Sequence, residues 1–462
     1  MDPKSIFSIS ELAGGRLRGD GNGMVTAVTT DSRTIHRGEL FVALRGEKFD
    51  GHDFLRSAQQ SGAEAAIVER VDPALPELPQ IEVADCLAAL QRLAKGYRDE
   101  LSLKVVGITG SNGKTSTKEM VTAVLGERFR VVKTEGNLNN HIGVPLSILR
   151  ASSKHEVAVL EVGMNHAGEL KPLVEMARPD VAVITNIGIA HIEFLESREA
   201  IAREKAVLAE AVPREGVVIL NANDSFTAWI ATRCQARIVR AGLETGDVQA
   251  RDIVHYQDGE AFTIADESGR TQAKLPVLGE HMVLNATMAV AVGRALGLSL
   301  EECVSGLRRT SIPGGRMRFQ RLGALFLLND AYNANPDSVV AALKTASCLP
   351  LPGRRVAALG RMGELGQESA PGHLRVGSAA AEFGFEFLVT VGQEGKLIAE
   401  AAASSGLKDV VAVTTHEEAV DVLNQHLQSG DILLVKGSFA SRMDRVIDGL
   451  ERTGNQAKWR GP

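Results

Sequence analysis

The chain has 462 residues, 44% of them hydrophobic and 23% charged, with a formal net charge of −6 and only 4% aromatic residues. At roughly 100–200 residues per domain, this length predicts two to four domains with enough apolar surface for their own cores. The acidic balance and scarce aromatics argue against a nucleic-acid partner, which would need a basic footprint or a stacking platform.

Cys86, Cys234, Cys303 and Cys348 have no paired spacing, which argues against a zinc cluster or disulfide framework and fits a reducing compartment. Met1–Leu12 has no basic segment leading into an apolar one, and no run reaches the ~18 apolar residues of a membrane span. A cytoplasmic protein acting on small molecules is expected.

In chain order, the first 84 residues read as mixed strands and short helices. Strand-like Val25–Thr30 runs into Asp31-Ser32-Arg33; strands follow at Leu40–Leu44 and Ala63–Glu69, with a loop at Gly46–Phe54 between them. Asp85–Tyr97 has helical periodicity and leads into a second unit. There, strand Lys104–Thr109 meets helix Lys114–Phe129 through a glycine-rich turn. Strands are expected at Val157–Glu161, Val181–Asn186 and Val217–Asn221, helices at Ala200–Ala211 and Val283–Ala295, and hairpin material at Gln249–Lys274. Pro313-Gly314-Gly315 reads as a linker. Beyond it, strands Ala324–Asn329, Arg355–Leu359, Phe387–Val391, Val410–Val413 and Asp431–Val435 alternate with five helical segments from Asp337 to Leu450. That alternation is the pattern of a doubly wound parallel sheet. Arg452–Pro462 is expected to fray.

The strongest local signal is Gly110-Ser111-Asn112-Gly113-Lys114-Thr115, set between a strand and a helix as a phosphate-binding loop must be. Its N–H groups and the helix N-terminus would meet phosphates, Lys114 would reach the β- and γ-phosphates, and Thr115 would hold Mg²⁺. The strict eight-residue pattern would place glycine at 108, where this chain has Ile108. Glu161 ends an apolar strand, where ligands meet open α/β sheets, and a carboxylate there suits Mg²⁺. His191 follows another strand end. Lys205, on the next helix, is by itself an ordinary solvated charge.

Together these elements resemble the Mur ligase family, the ATP-dependent amide-forming enzymes of peptidoglycan synthesis. The resemblance covers nearly the whole chain. It implies a nucleotide site from Gly110 to Ser116, with Asn285 near adenine, Arg316 opening the last domain and Asp330 at the ribose. It implies Mg²⁺ at Thr115, Glu161 and His191, with Lys205 carried as a carbamate, and a catalytic set of Lys114, Glu161, His191 and Lys205. Asn137-Leu138-Asn139-Asn140-His141 matches the family's asparagine-rich segment, making Asn137 and Asn139 substrate candidates.

Within the family, Asn329-Asp330-Ala331-Tyr332-Asn333-Ala334-Asn335-Pro336 looks like the branch that adds D-alanyl-D-alanine to a UDP-N-acetylmuramoyl tripeptide. Asp31, Ser32 and Arg33 are candidates for the UDP end, Lys436 or Arg442 for the carboxylate of the incoming dipeptide, and Asn333, Asn335 and Ser438 are further substrate candidates. The implied architecture is a small mixed α/β domain for the UDP-linked precursor at 1–84, a central phosphate-loop ATPase domain at 85–314 and a Rossmann-like domain for the dipeptide at 315–462. A monomer is expected. Arg361 departs from the family, which usually carries aspartate there. Folylpolyglutamate synthase shares the ATPase core, but that family begins near its phosphate loop and lacks the first ~84 residues seen here. A regulatory or motor NTPase would carry glycine at 108 and an aspartate in place of Glu161.

Overall fold

Strand Lys104–Thr109 sits third from one edge of a nine-stranded sheet and is buried on both faces. Val106 and Ile108 pack into one core layer and Val105 into the other. This two-sided burial is why the central strands read as continuous Val/Ile runs rather than alternating ones. The computed structural model describes residues 1–453 and Trp459.

The nine strands lie in the order Gly269–Leu275, Gly259–Asp266, Val248–Tyr256, Arg237–Leu243, Val217–Asn221, Val181–Ile184, Lys104–Thr109, Val157–Glu161 and Val131–Lys133. From Val248–Tyr256 onward all neighbours are parallel, while the first three strands form an antiparallel meander. The expected hairpin at Gln249–Lys274 is this meander, extending the sheet at its edge. Helix Glu280–Ala295 is apolar nearly all round because it is buried between the sheet and helix Lys114–Leu125.

The N-terminal sheet has five strands, in the order Arg16–Arg18, Gln80–Glu82, Ala65–Val68, Glu39–Val42 and Ala27–Thr29. Expected strand Val25–Thr30 divides in two because its halves have different partners. Met24–Val25 pairs with Lys4–Ser5, and Ala27–Thr29 with Glu39–Val42. Part of the expected loop Gly46–Phe54 closes into a 3₁₀ turn, Gly51–Phe54, capped by Asp50.

The last sheet has six strands: Arg318–Leu322, Leu325–Asp330, Ile432–Lys436, Arg355–Gly360, Phe387–Val391 and Asp409–Val413. Only the first pairing is antiparallel. Its helices carry explicit start signals. Asn335 caps Pro336–Cys348 in a capping box with Ser338, with proline in the first turn, and Thr415 caps His416–His426 with Glu418. The closing helix, Asp444–Thr453, includes Arg452, and Trp459 is buried with its indole N–H donating to Asn424 Oδ1 (3.3 Å). The expected fraying from Arg452 therefore fails at these residues; 454–458 and 460–462 lie outside the described residues. Between the central and last domains, Pro313–Gly315 has no regular structure, and Gly315 takes φ 77°.

Candidate active site

Three parallel strands, Lys104–Thr109, Val157–Glu161 and Val181–Ile184, end on the same side of the central sheet. The chain crosses from the second over the first to reach the third, so the winding reverses there, where open α/β sheets leave a crevice.

Ile108 is fully buried, in register with Glu161 on one side and Val183 on the other. That position is still core strand, so the turn begins only at Gly110. Gly110 has φ 154°, and a Cβ there would run into Thr185 Oγ1. Gly113 has φ 80°, and its Cβ would meet Asn285 Oδ1 at 2.8 Å. The following helix, Lys114–Leu125, starts with no side-chain cap, so its first N–H groups face outward, available to an anion.

The loop is strapped to its neighbour. Ser111 N donates to Asn186 O (3.0 Å), Asn112 N to Asn186 Oδ1 (2.9 Å), and Gly188 N to Ser111 Oγ (2.9 Å). Lys114 Nζ lies across the loop, donating to Gly110 O (2.8 Å). Burial lowers its pKa, with Arg316 adding to the effect and Glu161 opposing it.

Glu161 is 2% exposed. Its N–H donates to Thr134 Oγ1 (3.1 Å), and its Oε1 accepts from Asn139 Nδ2 (2.8 Å). Its Oε2 is buried and has no hydrogen-bond partner among the described residues. A carboxylate oxygen left bare in a buried place is unfavourable unless a cation meets it. Among the described residues no three His, Cys, Asp or Glu side chains form a ready metal cage. That suits Mg²⁺, which takes one or two carboxylates plus substrate phosphates rather than an all-protein shell. Buried Thr115 stands on the adjoining helix turn.

Lys205 is 1% exposed, on helix Arg198–Glu210, which is capped by Ser197. Burial, reinforced by Lys114, pushes its pKa well below the ordinary lysine value. His191 takes a left-handed backbone (φ 64°), and its Nδ1 lies 2.5 Å from Glu364 Oε2 of the last domain. That contact holds the Glu364 carboxyl below its ordinary pKa.

The last domain also reaches the loop directly. Asn335 Nδ2 donates to Asn112 Oδ1 (2.6 Å). Arg316 stacks its guanidinium 3.6 Å from the centre of the Tyr332 ring. Asp330 accepts from Met317 N (3.0 Å) and from Lys436 Nζ (2.5 Å), and Lys436 also donates to Asn333 O (2.9 Å). In this arrangement the Lys436 ammonium is buried and paired. Arg442 is exposed and pairs with Asp444 at 2.7 Å, and Ser438 Oγ is buried without a hydrogen-bond partner among the described residues. Arg361 faces Glu394 (3.3 Å), so the charge that departs from the family is met by a local acid.

A cleft of about 610 Å³ gathers the loop residues 111–116, Asn137, Asn139, Glu161, His191, Arg316 and Asn333. Lys205, Asn285, Asp330 and Asn335 do not line it, although Asn285 lies against Gly113 and Asn335 bonds Asn112. Asp31, Ser32 and Arg33 lie apart, on the N-terminal domain, where Arg33 holds Asp31 and brings its pKa down to about 2. A second hollow of about 460 Å³ in that domain is lined by Arg45, Lys48, Phe49, Asp50 and Arg70.

Sequence reasoning missed Asn165 and Glu169 on the cleft wall and Lys118 beneath it. Lys118 is fully buried, donates to Thr134 O (2.8 Å) and pairs with Glu119 (3.1 Å), which in turn pairs with Lys133. Thr134 is the residue whose hydroxyl holds the Glu161 backbone. The place of Lys118 one helical turn past Lys114 does not by itself tell a buried lysine from a solvated one.

Comparison with known proteins agrees with this geometry along the chain. Residues 24–98 match the Mur ligase family catalytic domain, 108–293 the Mur ligase middle domain and 315–439 the Mur ligase glutamate ligase domain. The UDP-N-acetylmuramoyl-tripeptide–D-alanyl-D-alanine ligase of Bacillus subtilis is 36% identical, covering 97% of this chain and 99% of its own. The crystal structure of MurF from Acinetobacter baumannii superposes with a TM-score of 0.90 at 35% identity, over 98% of this chain and 100% of that one. MurF from Thermotoga maritima, solved in complex with ADP, gives 0.82 at 28% identity over 93% and 97%. Matched by three family models in succession along its length and by relatives of more than 30% identity over nearly its whole length, this chain belongs to the Mur ligase family.

Proposed function

We propose that the protein is an ATP-dependent, ADP-forming ligase that joins D-alanyl-D-alanine to a UDP-N-acetylmuramoyl tripeptide, in the cytoplasm and as a monomer. The observation that carries this reading is the single cleft in which an open helix N-terminus, Lys114 and the bare Oε2 of Glu161 face Arg316 and Asn333 of another domain. Phosphoryl transfer needs positioning and charge neutralisation above all, and those groups offer both. The names of the similar ligases support the choice of substrates. Among the described residues, no helix is long and apolar enough to cross a membrane.

The tripeptide's terminal carboxylate attacks the γ-phosphorus of ATP, forming an acyl-phosphate as ADP leaves. Lys114 and the loop N–H groups hold the charge that moves onto the phosphate oxygens. Mg²⁺, when bound, supplies further neutralisation of phosphate and carboxylate charge; Thr115 and Glu161 would hold one ion, and Glu161, His191 and a carbamate of Lys205 another. Burial disfavours the ammonium form of Lys205 and favours the neutral amine. Its amine is then free to add to CO₂, shedding a proton and becoming an anionic oxygen ligand. The dipeptide amine then attacks the acyl carbon, and phosphate leaves.

In this reading residues 1–84 hold the UDP-linked precursor, 85–314 the ATP and 315–462 the dipeptide. Asp31, Ser32 and Arg33, with the hollow at Arg45, Lys48 and Arg70, serve the UDP end. Asn137 and Asn139 flank the tripeptide's reacting end. Asn285 serves adenine, Asp330 the ribose and Arg316 the phosphates. Asn333, Asn335, Lys436, Ser438 and Arg442 surround the dipeptide.

The test is phosphate release from ATP with the UDP-linked tripeptide, with and without D-alanyl-D-alanine. Release that requires both, with a pentapeptide product by mass spectrometry, is expected. ATP binding without release for either lysine- or diaminopimelate-containing tripeptide would reject this substrate pair.

A further inference from the structure

Glu364 stands on the loop after strand Arg355–Gly360 of the last domain, yet its carboxylate is 2.5 Å from a ring nitrogen of His191 in the central domain. An ionised carboxylate can only accept, so Nδ1 carries the hydrogen, and in the neutral ring that leaves the lone pair on Nε2. The ring lines the main cleft, and among the described residues Nε2 has no hydrogen-bond partner. A carboxylate fixing one histidine nitrogen while the other meets a cation is a recurrent arrangement around metals.

The backbones on both sides are held in uncommon conformations. His191 has φ 64° and Glu364 φ 59°, neither being glycine. Strain of this kind persists where the surroundings enforce it, and it concentrates at functional sites. Here the enforcement crosses the domain boundary. Glu193 N donates to Glu364 O (3.3 Å), and Gly366, at φ 51°, lies so close that a Cβ would stand 3.2 Å from the Glu193 Cα. The Glu364 side chain is 48% exposed and has no other ion-pair partner among the described residues. An exposed ion pair adds little to stability, so its geometry calls for another purpose.

We propose that Glu364 is a positioning residue that fixes the tautomer and aim of His191, so that the second cation site of the central domain is complete only when the last domain has closed onto it. This rests on the reading of His191 as a cation ligand, and the test separates the two.

The full-length protein would be loaded with a non-hydrolysable ATP analogue and UDP-linked tripeptide, and Mn²⁺ binding followed by electron paramagnetic resonance. The variants are Glu364→Ala, Glu364→Gln, His191→Ala and the Glu364→Ala/His191→Ala double. Glu364→Ala is expected to weaken retention of the second Mn²⁺ by roughly 10–100-fold, the range for lost outer partners of metal-ligating histidines. It should raise the Mg²⁺ needed for half-maximal phosphate release in step, leaving nucleotide affinity without tripeptide unchanged. Glu364→Gln keeps an acceptor but not the charge and should fall between. The double variant should be no worse than His191→Ala.

If His191→Ala loses the ion while Glu364→Ala retains it, Glu364 is only a docking contact and the proposal fails. Losses that add in the double variant would show that Glu364 acts elsewhere. If His191→Ala retains the ion, the ligand reading itself fails and the proposal with it.

Discussion

Glu161 combines burial, one satisfied oxygen and one bare oxygen, and each feature has its own cause. The strand buries it, Asn139 satisfies Oε1, and among the described residues Oε2 has no hydrogen-bond partner. Glu161→Gln keeps the volume and the oxygen that accepts from Asn139 but removes the charge. The expected outcome is a folded protein whose kcat falls about 100-fold or more, the scale of losing one preorganised electrostatic contact. Its Tm should no longer rise when Mg²⁺ and ATP are added together, since a ligand stabilises only the state that binds it. Calorimetry with and without Mg²⁺ checks this; a Tm gain equal to wild type would sink the assignment. Residues of this sort were unequally legible in the sequence. Glu161 announced itself by ending an apolar strand. Lys205 did not, because a lysine on a helix is normally solvated, and only tertiary packing buries this one. Lys118 was hidden for the same reason: its fully buried ammonium relies on Thr134 and Glu119, contacts that no spacing rule reveals.

At the scale of elements, the phosphate loop depends on a conformation that only glycine adopts easily. At Gly113 the left-handed backbone and the closeness of Asn285 act together. Gly113→Ala adds about 1–2 kcal/mol of backbone strain and drives a methyl group toward Asn285. The expected outcome is a Tm lower by about 2–4 °C per kcal/mol and an ATP KM roughly tenfold higher, because 1.4 kcal/mol of lost binding is tenfold. Unchanged nucleotide affinity by titration calorimetry would show that the loop does not hold phosphate. The strands of the central and last sheets were readable because parallel strands buried on both faces are continuous Val/Ile/Leu runs, as at Val157–Glu161 and Phe387–Val391. Short elements were not. Arg16–Arg18 and Val131–Lys133 have three residues each, without room for a periodic pattern, and Arg237–Leu243 has its exposed Arg237 and Arg240 three residues apart, hence on opposite faces, so it shows no clean alternation. Helix Leu300–Leu307, with its Ser299/Glu302 capping box, carried a legible start signal that went unread.

At the scale of the molecule, the proposed function requires ATP on the central domain and dipeptide on the last to meet, with Pro313–Gly315, which has no regular structure, as the proposed hinge between them. Among the described residues four polar contacts bridge them: His191 with Glu364, Glu193 N with Glu364 O (3.3 Å), Lys344 with Glu280 (2.6 Å), and Asn335 with Asn112 (2.6 Å). The last ties closure to the phosphate loop itself, yet Asn335 also caps helix Pro336–Cys348, so an alanine there would confound two effects. Asn335→Ser separates them. Serine caps as well as asparagine, so stability should change by no more than about 0.5 kcal/mol. Its shorter side chain does not span to Asn112, and the bridge is lost. Small-angle scattering is expected to show the wild type compacting when ATP analogue and UDP-linked tripeptide are added, and the variant compacting less, with a several-fold rise in ATP KM. No compaction in the wild type would rule out hinge closure. Full compaction in the variant would leave closure intact but assign it to the substrates and the remaining bridges, since a population shift can be no larger than the differential contacts that drive it.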